Sequence, residues 1–432
     1  MLIILLAISL LFLLVLGYKL SRDIVSPCML FIGGFFVSTS YAIFYQHNWG
    51  YFGDLKFFFL VFFSNFAFLS GTLVMSILSS KNKQFVKNFT VTSLVFSKEK
   101  VICVYGFLFL IIFATYNVVY VNTGNVNLFE SIGQYYLLKK YDNLIYSPFY
   151  IKVSQYLTIS IFLISTFSLY SYLFIRNCLK ISLCFILLLS ALSTLLEGTR
   201  NTFLLFIWYS LILFFLFKHK ISNWKDQINL KLITLLFLGI CFFILLFNIS
   251  FVITGRLSDE YSISTLLSTY LGAPLKNLEL FIQDNFQSAN IFAGETLMQS
   301  YIKLKEFTGD NSFNVESYYD YRWIGNVPLG NVYTILMPLY SDFGFIGCLF
   351  SVFILGVVIE MIYLRVKYCK SYKEYMRWSI IYSYISFPVF MSFFSAKVFE
   401  MFFSISFVYV LICFFLLDIW LNKIKFKYLL YK

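Results

Sequence analysis

Charge is what this sequence has least of. Asp, Glu, Lys and Arg together supply 12 % of its 432 residues, where an ordinary soluble domain carries about 25 %. That deficit excludes a soluble globular protein of this length. Histidine is almost missing as well, with only His47 and His219, so a histidine-rich metal centre has no ligands to draw on. Of the eight cysteines, Cys28, Cys103, Cys184, Cys241, Cys348 and Cys413 fall in apolar runs, and Cys178 and Cys369 fall in basic loops. The long polar stretch of the chain holds none, which excludes a disulfide framework or a thiolate metal site there.

What the chain has in quantity is apolar surface, at 60 % of its residues. A helix needs roughly 17–25 apolar residues to cross a bilayer. About eleven such runs (10 to 13 by the margins of the method) are found, at 2–18, 24–45, 55–79, 101–121, 151–175, 181–196, 202–217, 232–253, 343–364, 378–396 and 401–420. The fold class expected is therefore all-α, a polytopic transmembrane helical bundle. It divides into an N-terminal bundle over 1–253, a large loop with amphipathic and re-entrant helices over 254–342, and C-terminal spans with a basic tail over 343–432. The first run is read as a retained helix, because no basic residue precedes it and Lys19 and Arg22 follow it.

The net charge of +12 raises the question of nucleic acid, and the placement of the charge answers it. Under the eleven-span map, 22 of the 33 basic residues but only six of the 21 acids lie on one side. By the positive-inside rule that side is cytoplasmic, as is the C-terminus, and the long loop lies outside. No basic patch on a soluble surface is available for nucleic acid.

In the first four runs, Gly33-Gly34, Ser64 and Asn65 are expected to serve helix packing. Between 122 and 150 a set of tyrosines (Tyr135, Tyr136, Tyr141, Tyr146, Tyr150) reads as an interfacial belt, with stacking on sugar rings as the alternative. Lys139-Lys140 beside them is a weak candidate for an anionic ligand. The sixth and seventh runs are joined by Glu197-Gly198-Thr199-Arg200, with an ion pair fixing the turn or Arg200 facing an outward cavity as the two readings. Arginine suits the second, because its planar fork holds phosphate oxygens bidentately and keeps its charge. The eighth run ends in Thr254-Gly255-Arg256. From 257 to 282 apolar residues recur at three- and four-residue steps, interrupted at Gly272-Ala273-Pro274, which predicts an amphipathic helix lying along the membrane. Asp310, Glu316, Asp320 and Arg322 alternate with Tyr318, Tyr319, Tyr321 and Trp323, a mixture suited to sugar rings and hydroxyls. Gly330–Tyr340 is too short to span and reads as re-entrant. Asp342 then begins the ninth run, as a helix cap or as a functional carboxylate.

Four blocks, Glu197-Gly-Thr-Arg200, Tyr270-Leu-Gly-Ala-Pro-Leu-Lys-Asn277, Phe292-Ala-Gly-Glu-Thr296 and Gly330-Asn-Val-Tyr-Thr334 followed by Tyr340-Ser-Asp-Phe-Gly-Phe-Ile-Gly347, occur here in an order that resembles the Wzy-type oligosaccharide repeat-unit polymerases, also called O-antigen or capsule polymerases. The resemblance covers about residues 180–365. It implies a metal-independent glycosyltransferase of the bacterial inner membrane. The enzyme would move a growing glycan from undecaprenyl diphosphate to the end of a newly exported lipid-linked repeat unit. No cofactor is implied. The implied partners are the lipid-linked donor and acceptor, membrane lipid, a flippase and a chain-length regulator.

The reaction needs positive charge where the diphosphate departs and a base for the acceptor hydroxyl. Arg200 and Arg256 are the candidates for the first task, with Arg322 and Lys276 behind them. Asp342, Glu197 and Asp320 are the candidates for the second, Asp342 preferred because it belongs to the resembling block. Asn331, Tyr333 and Trp323 complete the expected substrate contacts. Two rivals stand beside this reading. An O-antigen ligase is expected to carry a histidine in its outer loop, and this loop has none. A transporter or flippase of lipid-linked glycan is expected to show internal repeats and charges buried mid-span.

Overall fold

The structure, a computed structural model of the chain, describes residues 1–79, 96–124, 127–138, 149–198, 200–222, 224, 263–284, 292–308, 319 and 321–423. The helices are α1 (Leu2–Ser21), α2 (Pro27–Trp49), α3 (Leu55–Leu78), α4 (Lys98–Thr123), α5 (Leu128–Leu137), α6 (Phe149–Arg176), α7 (Ile181–Leu195), α8 (Arg200–Ile221), α9 (Ile263–Leu271), α10 (Ala273–Gln283), α11 (Met298–Thr308), α12 (Leu336–Lys367), α13 (Tyr372–Phe390), α14 (Lys397–Phe402) and α15 (Ile405–Lys423). Strands β1 (Arg322–Ile324) and β2 (Val327–Gly330) form an antiparallel hairpin, a small addition to described residues that are otherwise mainly helical.

Among the described residues, seven helices, α1, α2, α3, α4, α6, α8 and α12, are long and apolar enough to cross a membrane. Eleven runs were expected; the other four are the sixth, eighth, tenth and eleventh. The sixth run forms a helix of only 15 residues. In the tenth, α13 carries Lys373, Glu374 and Arg377 near its start and Pro388 near its end. The eleventh, within α15, is a shorter apolar helix, and the eighth, 232–253, lies outside the described residues.

The chain forms two compact units that interleave in sequence. One comprises Met1–Val86, Tyr261–Lys370 and Arg377–Ile405, the other Lys87–Glu260, Ser371–Met376 and Ser406–Lys432.

In the first unit α3 and α12 run parallel and touch backbone to backbone. A Cβ placed on Gly71 would sit 2.2 Å from the Phe353 carbonyl oxygen, and one on Gly356 2.5 Å from that of Phe68. Small residues allow such approaches between helices in a lipid environment, where close packing replaces the hydrophobic drive. Gly34 of α2 makes the same kind of approach to Phe390, while Asn65 turns back to the Val61 carbonyl of its own helix. At one end of this bundle the α1–α2 turn is tied down by the Tyr363 hydroxyl, which donates to Asp23, and by that of Tyr382, which donates to the Val25 carbonyl. At the other end Asp54 caps α3 by accepting from the amides of Lys56 and Phe57. Against that second end lies most of the polar segment 263–343.

Two helices of this unit are interrupted where they meet. Within α12, Gly344 takes φ 65° and ψ −171°, a conformation open to glycine and strained for other residues, so Leu336–Phe343 forms a short arm of its own. The Cys348 thiol approaches the Leu336 carbonyl at 3.8 Å. The arm therefore begins level with the first turn of the long helix beyond the break. Pro388 ends α13, a single 3-10 turn follows at Met391–Phe393, and the Ile335 amide donates to the Ser392 carbonyl at 2.8 Å. Thr334, Ile335 and Leu336 are fully buried. Irregular backbone is tolerated here because protein covers it.

The expected amphipathic helix is present as α9 and α10, broken at Gly272, where a Cβ would meet the Trp49 ring at 2.7 Å. Its setting differs from expectation. Nearly every residue from Ala273 to Ile282 is buried, so α10 is enclosed by protein and does not lie along a membrane surface.

The second unit packs α4, α6 and α7 around Val104, Leu108, Ile161, Leu169, Tyr172, Leu183 and Ile186. Phe162 of α6 stacks on Phe206 of α8 at 3.8 Å, and the Tyr209 hydroxyl donates to the Leu163 carbonyl at 2.7 Å.

Candidate functional site

The polar segment of the first unit is held by two cross-braces. Asn277 on α10 donates through Nδ2 to the carbonyls of Val332 at 2.9 Å, Leu329 at 3.3 Å and Gly330 at 3.4 Å. One amide thereby fixes the turn that carries Asn331 and Tyr333. Gly330 takes φ 80° there and a Cβ on it would meet Thr269 at 3.0 Å, so glycine is required on both counts. Asp342, on the short arm of α12, forms the second brace. Its carboxylate oxygens accept from the amides of Glu295 at 3.2 Å and Thr296 at 2.7 Å. The capping role expected of Asp342 thus exists, but it is exercised on the turn before α11 and not on its own helix. Ala293 in that turn has φ 52°, a left-handed conformation costing a non-glycine residue about 1–3 kcal/mol.

Around these braces sit acids, tyrosines and one arginine. The Tyr319 hydroxyl lies close to Glu295. Burial, then the negative charges of Glu295, Glu400 and Asp342, push it far above the ordinary tyrosine range, so Tyr319 stays protonated as a donor. Its ring lies 5.3 Å from that of Tyr333. Arg322 covers the other tyrosine face at 5.7 Å from the ring centroid and pairs with Asp284 at 2.7 Å. Lys397 pairs with Glu400 on α14. On the hairpin, Tyr321 and Trp323 are half-exposed with ring centroids 5.3 Å apart, an aromatic face on which a sugar ring can lie.

Lys276 is different in kind. It pairs with Glu279 at 2.7 Å, donates to the Tyr51 carbonyl at 3.2 Å and lies over the Phe52 ring. Glu279 also accepts from the amides of Gly53 and Asp54 at 2.8 and 3.0 Å. With side-chain exposures of 7 % and 0 %, this pair fastens α10 to the α2–α3 turn, which is a structural task.

Of the expected residues, the first unit therefore contains Asp342, Arg322, Lys276, Asn331, Tyr333 and Trp323. Glu197 and Arg200 belong to the second unit, where both are buried and each has a partner. There Gly198 takes φ 70° and a Cβ on it would meet Tyr136 of α5 at 3.0 Å, so α5 covers the turn between α7 and α8. Arg256, Asp320 and Lys139-Lys140 lie outside the described residues.

Compared with protein families, with curated proteins and with solved structures, the chain matches none. Its site is read from its own chemistry.

Residues that sequence reasoning passed over are Glu295 beside Tyr319, Glu400 with Lys397, and Asn277 as a brace. Glu295 and Asn277 stand inside the blocks singled out above, yet each was read as part of a pattern and not for its own side chain. Nothing in the spacing connects Glu400, more than fifty positions beyond Asp342, to the others.

Proposed function

We propose that this protein is a membrane glycosyltransferase that polymerises lipid-diphosphate-linked oligosaccharide repeat units, the O-antigen or capsule polymerase reaction. One observation carries the reading. Blocks that are remote in sequence and resemble those of the polymerases are joined to each other by side-chain bonds within one unit. Asn277 of the second block holds the Gly330–Val332 backbone of the fourth, and Asp342 of the fourth holds the Glu295–Thr296 backbone of the third. Chance likeness of short motifs gives no reason for such contacts.

The chemistry of the joined region agrees with glycan transfer. Half-exposed aromatic rings suit sugars, a carboxylate accepts the acceptor hydroxyl's proton, and Arg322 offers a charged fork to a diphosphate. In this proposal the basic ends of the helices face the cytoplasm of a bacterial inner membrane and the polar segment faces outward, where exported precursors are. A flippase then supplies the substrate and a chain-length regulator ends the reaction.

The test is reconstitution. The full-length protein in lipid, given lipid-diphosphate-linked repeat units extracted from cells of its source that lack the gene, is expected to make a ladder of longer glycans on a gel. Transfer to a different acceptor without elongation would instead assign ligase activity, and passage of the lipid across vesicles without elongation a transporter. Arg200→Ala and Arg256→Ala, each made alone, are expected to abolish the ladder at unchanged protein level. A normal ladder from either removes that arginine from the reaction.

A further inference from the structure

We infer that the end of the second unit where α6 closes and α7 opens binds the headgroup of an anionic phospholipid, with Arg176 and Lys180 as its ligands and the outer face of α7 as the bed of an acyl chain. Only the membrane setting of the apolar helices is needed for this, not the polymerase reaction.

The site is built on one ring. Tyr172 is buried and packs in the core that α4, α6 and α7 share, so its ring is fixed. The Arg176 guanidinium and the Lys180 ammonium each lie 5.3 Å from its centroid, a distance at which an aromatic ring attracts a cation. The turn between the helices brings them there. Asn177 takes φ 48°, and the Cys178 amide donates back to the Tyr172 carbonyl at 3.3 Å, a closure common at helix ends. Lys180 is thereby returned over the last turn of α6.

Two cations on one ring stand no farther apart than twice that distance. Both are exposed, and neither pairs with a carboxylate among the described residues. Lys180 is also the N-cap of α7, where its side chain makes no capping bond. That position favours Ser, Thr, Asp or Asn, and a positive charge there opposes the helix dipole, so α7 gains nothing from the ammonium. A shared anion offsets the repulsion between the two cations, and the planar guanidinium suits phosphate oxygens.

What makes the anion a lipid is the surface that continues from the charges. Leu179, Ile181, Phe185, Leu188 and Leu192 are all exposed, Ile181 the most at 64 %. On α7 they recur at three- and four-residue steps and so share one face, an apolar track that starts beside Lys180. A soluble phosphate makes no contact with such a track, whereas a phospholipid lays a chain along it. The length of α7 adds to this. Its 15 residues make about 22 Å of helix, against about 30 Å of hydrocarbon in a bilayer. Long basic side chains at the end of a short helix reach for the phosphate layer and draw it inward.

The test uses the full-length protein in detergent, titrated with phosphatidylglycerol or with phosphatidylcholine of the same chains, the bound lipid being counted by native mass spectrometry. The parent is expected to bind phosphatidylglycerol more tightly. Arg176→Gln combined with Lys180→Gln is expected to weaken phosphatidylglycerol about thirtyfold, the product of what two cations at a membrane surface contribute, and to leave phosphatidylcholine unchanged. Lys218→Gln combined with Lys220→Gln removes the same charge from the last turn of α8 and is expected to change neither. An excess of inorganic phosphate is expected to leave phosphatidylglycerol bound. Displacement by phosphate would make this a site for a free anion and overturn the lipid assignment. So would a parent without preference between the lipids, an unaffected Arg176/Lys180 double variant, or equal losses in the two double variants, which would spread the effect over every basic helix end. Should the Arg176/Lys180 double variant fail to accumulate, Lys180→Gln alone decides, because this lysine caps nothing in α7. A several-fold loss of phosphatidylglycerol affinity supports the site, and an unchanged affinity overturns it.

Discussion

Glu279 and Glu295 stand sixteen positions apart in the chain, in the same unit, and the fold treats them oppositely. Glu279 has no exposure and spends its oxygens on Lys276 and the amides of Gly53 and Asp54. Glu295 is half-buried on a strained turn, and its backbone amide is held by the Asp342 carboxylate. The first acid is tied to its neighbours through its carboxylate, the second at least through its backbone amide. Both lie in polar stretches of similar composition, so composition does not separate them. What separates them is burial, complete for Glu279 and partial for Glu295, and which part of the residue the neighbouring backbone meets.

The largest effect that breaks this comparison is expected at the sealed pair. Lys276→Met leaves Glu279 charged and buried without its cation, which costs about 3–5 kcal/mol. A clear fall in the thermal unfolding midpoint in detergent, with a drop in yield, is the expected reading. Adding Glu279→Gln to Lys276→Met is expected to recover much of the loss, since Gln retains an oxygen for the Gly53 and Asp54 amides. A single variant as stable as the parent would show that the pair does not hold α10 to the α2–α3 turn.

Next in size is the brace. Asn277→Leu fills a similar volume but leaves the carbonyls of Leu329, Gly330 and Val332 without this donor. An unsatisfied buried polar group costs about 1–3 kcal/mol. Hydrogen exchange over residues 331–335 is expected to quicken while that over α1 and α3 stays slow. Uniform quickening would mean that Asn277 supports the whole unit and not the turn.

These contacts show how far the amino-acid pattern is readable. Apolar run lengths mark α1, α2, α3 and α12 well, because a bilayer imposes a length that local composition must satisfy. The break at Gly272-Ala273-Pro274 was visible for the same local reason. What run lengths do not carry is who covers whom. The apolar face of α10 reads as lipid-facing until Trp49 and the α2–α3 turn close over it. The hairpin at Arg322–Gly330 and helix α11 have short, mixed sequences whose form depends on the units they rest on. Site chemistry divides in the same way. Asp342, Arg322 and Trp323 were marked by residue type, whereas Glu295 emerges only once Tyr319 and Asp342 are seen on either side of it.

A third, smaller effect bears on the strained turn. Ala293→Gly removes a side chain from a left-handed backbone position, and glycine adopts that conformation without steric cost. The variant is expected to be as stable as the parent or more stable by up to about 1 kcal/mol, even though glycine adds freedom to the unfolded chain. Combined with unchanged kcat, that outcome assigns the strain to the turn alone. If kcat falls while stability rises, the strained backbone of this turn serves the reaction.

The smallest effect is expected at the rim. Arg322 and Asp284 pair at 2.7 Å with side-chain exposures of 21 % and 54 %, and partly exposed pairs contribute roughly 0–1 kcal/mol. Asp284→Asn is therefore expected to move the unfolding midpoint very little. Its effect on binding has the opposite sign from a structural loss. Removing the competing carboxylate leaves Arg322, still anchored over Tyr333, with more of its charge for an anionic substrate. A lower KM for the lipid-diphosphate donor, stronger at low ionic strength and fading as salt screens the site, is the expected result. An unchanged KM at every salt concentration would place the donor's diphosphate away from Arg322, and the guanidinium would then belong with Lys276 among the cations that the fold keeps for itself.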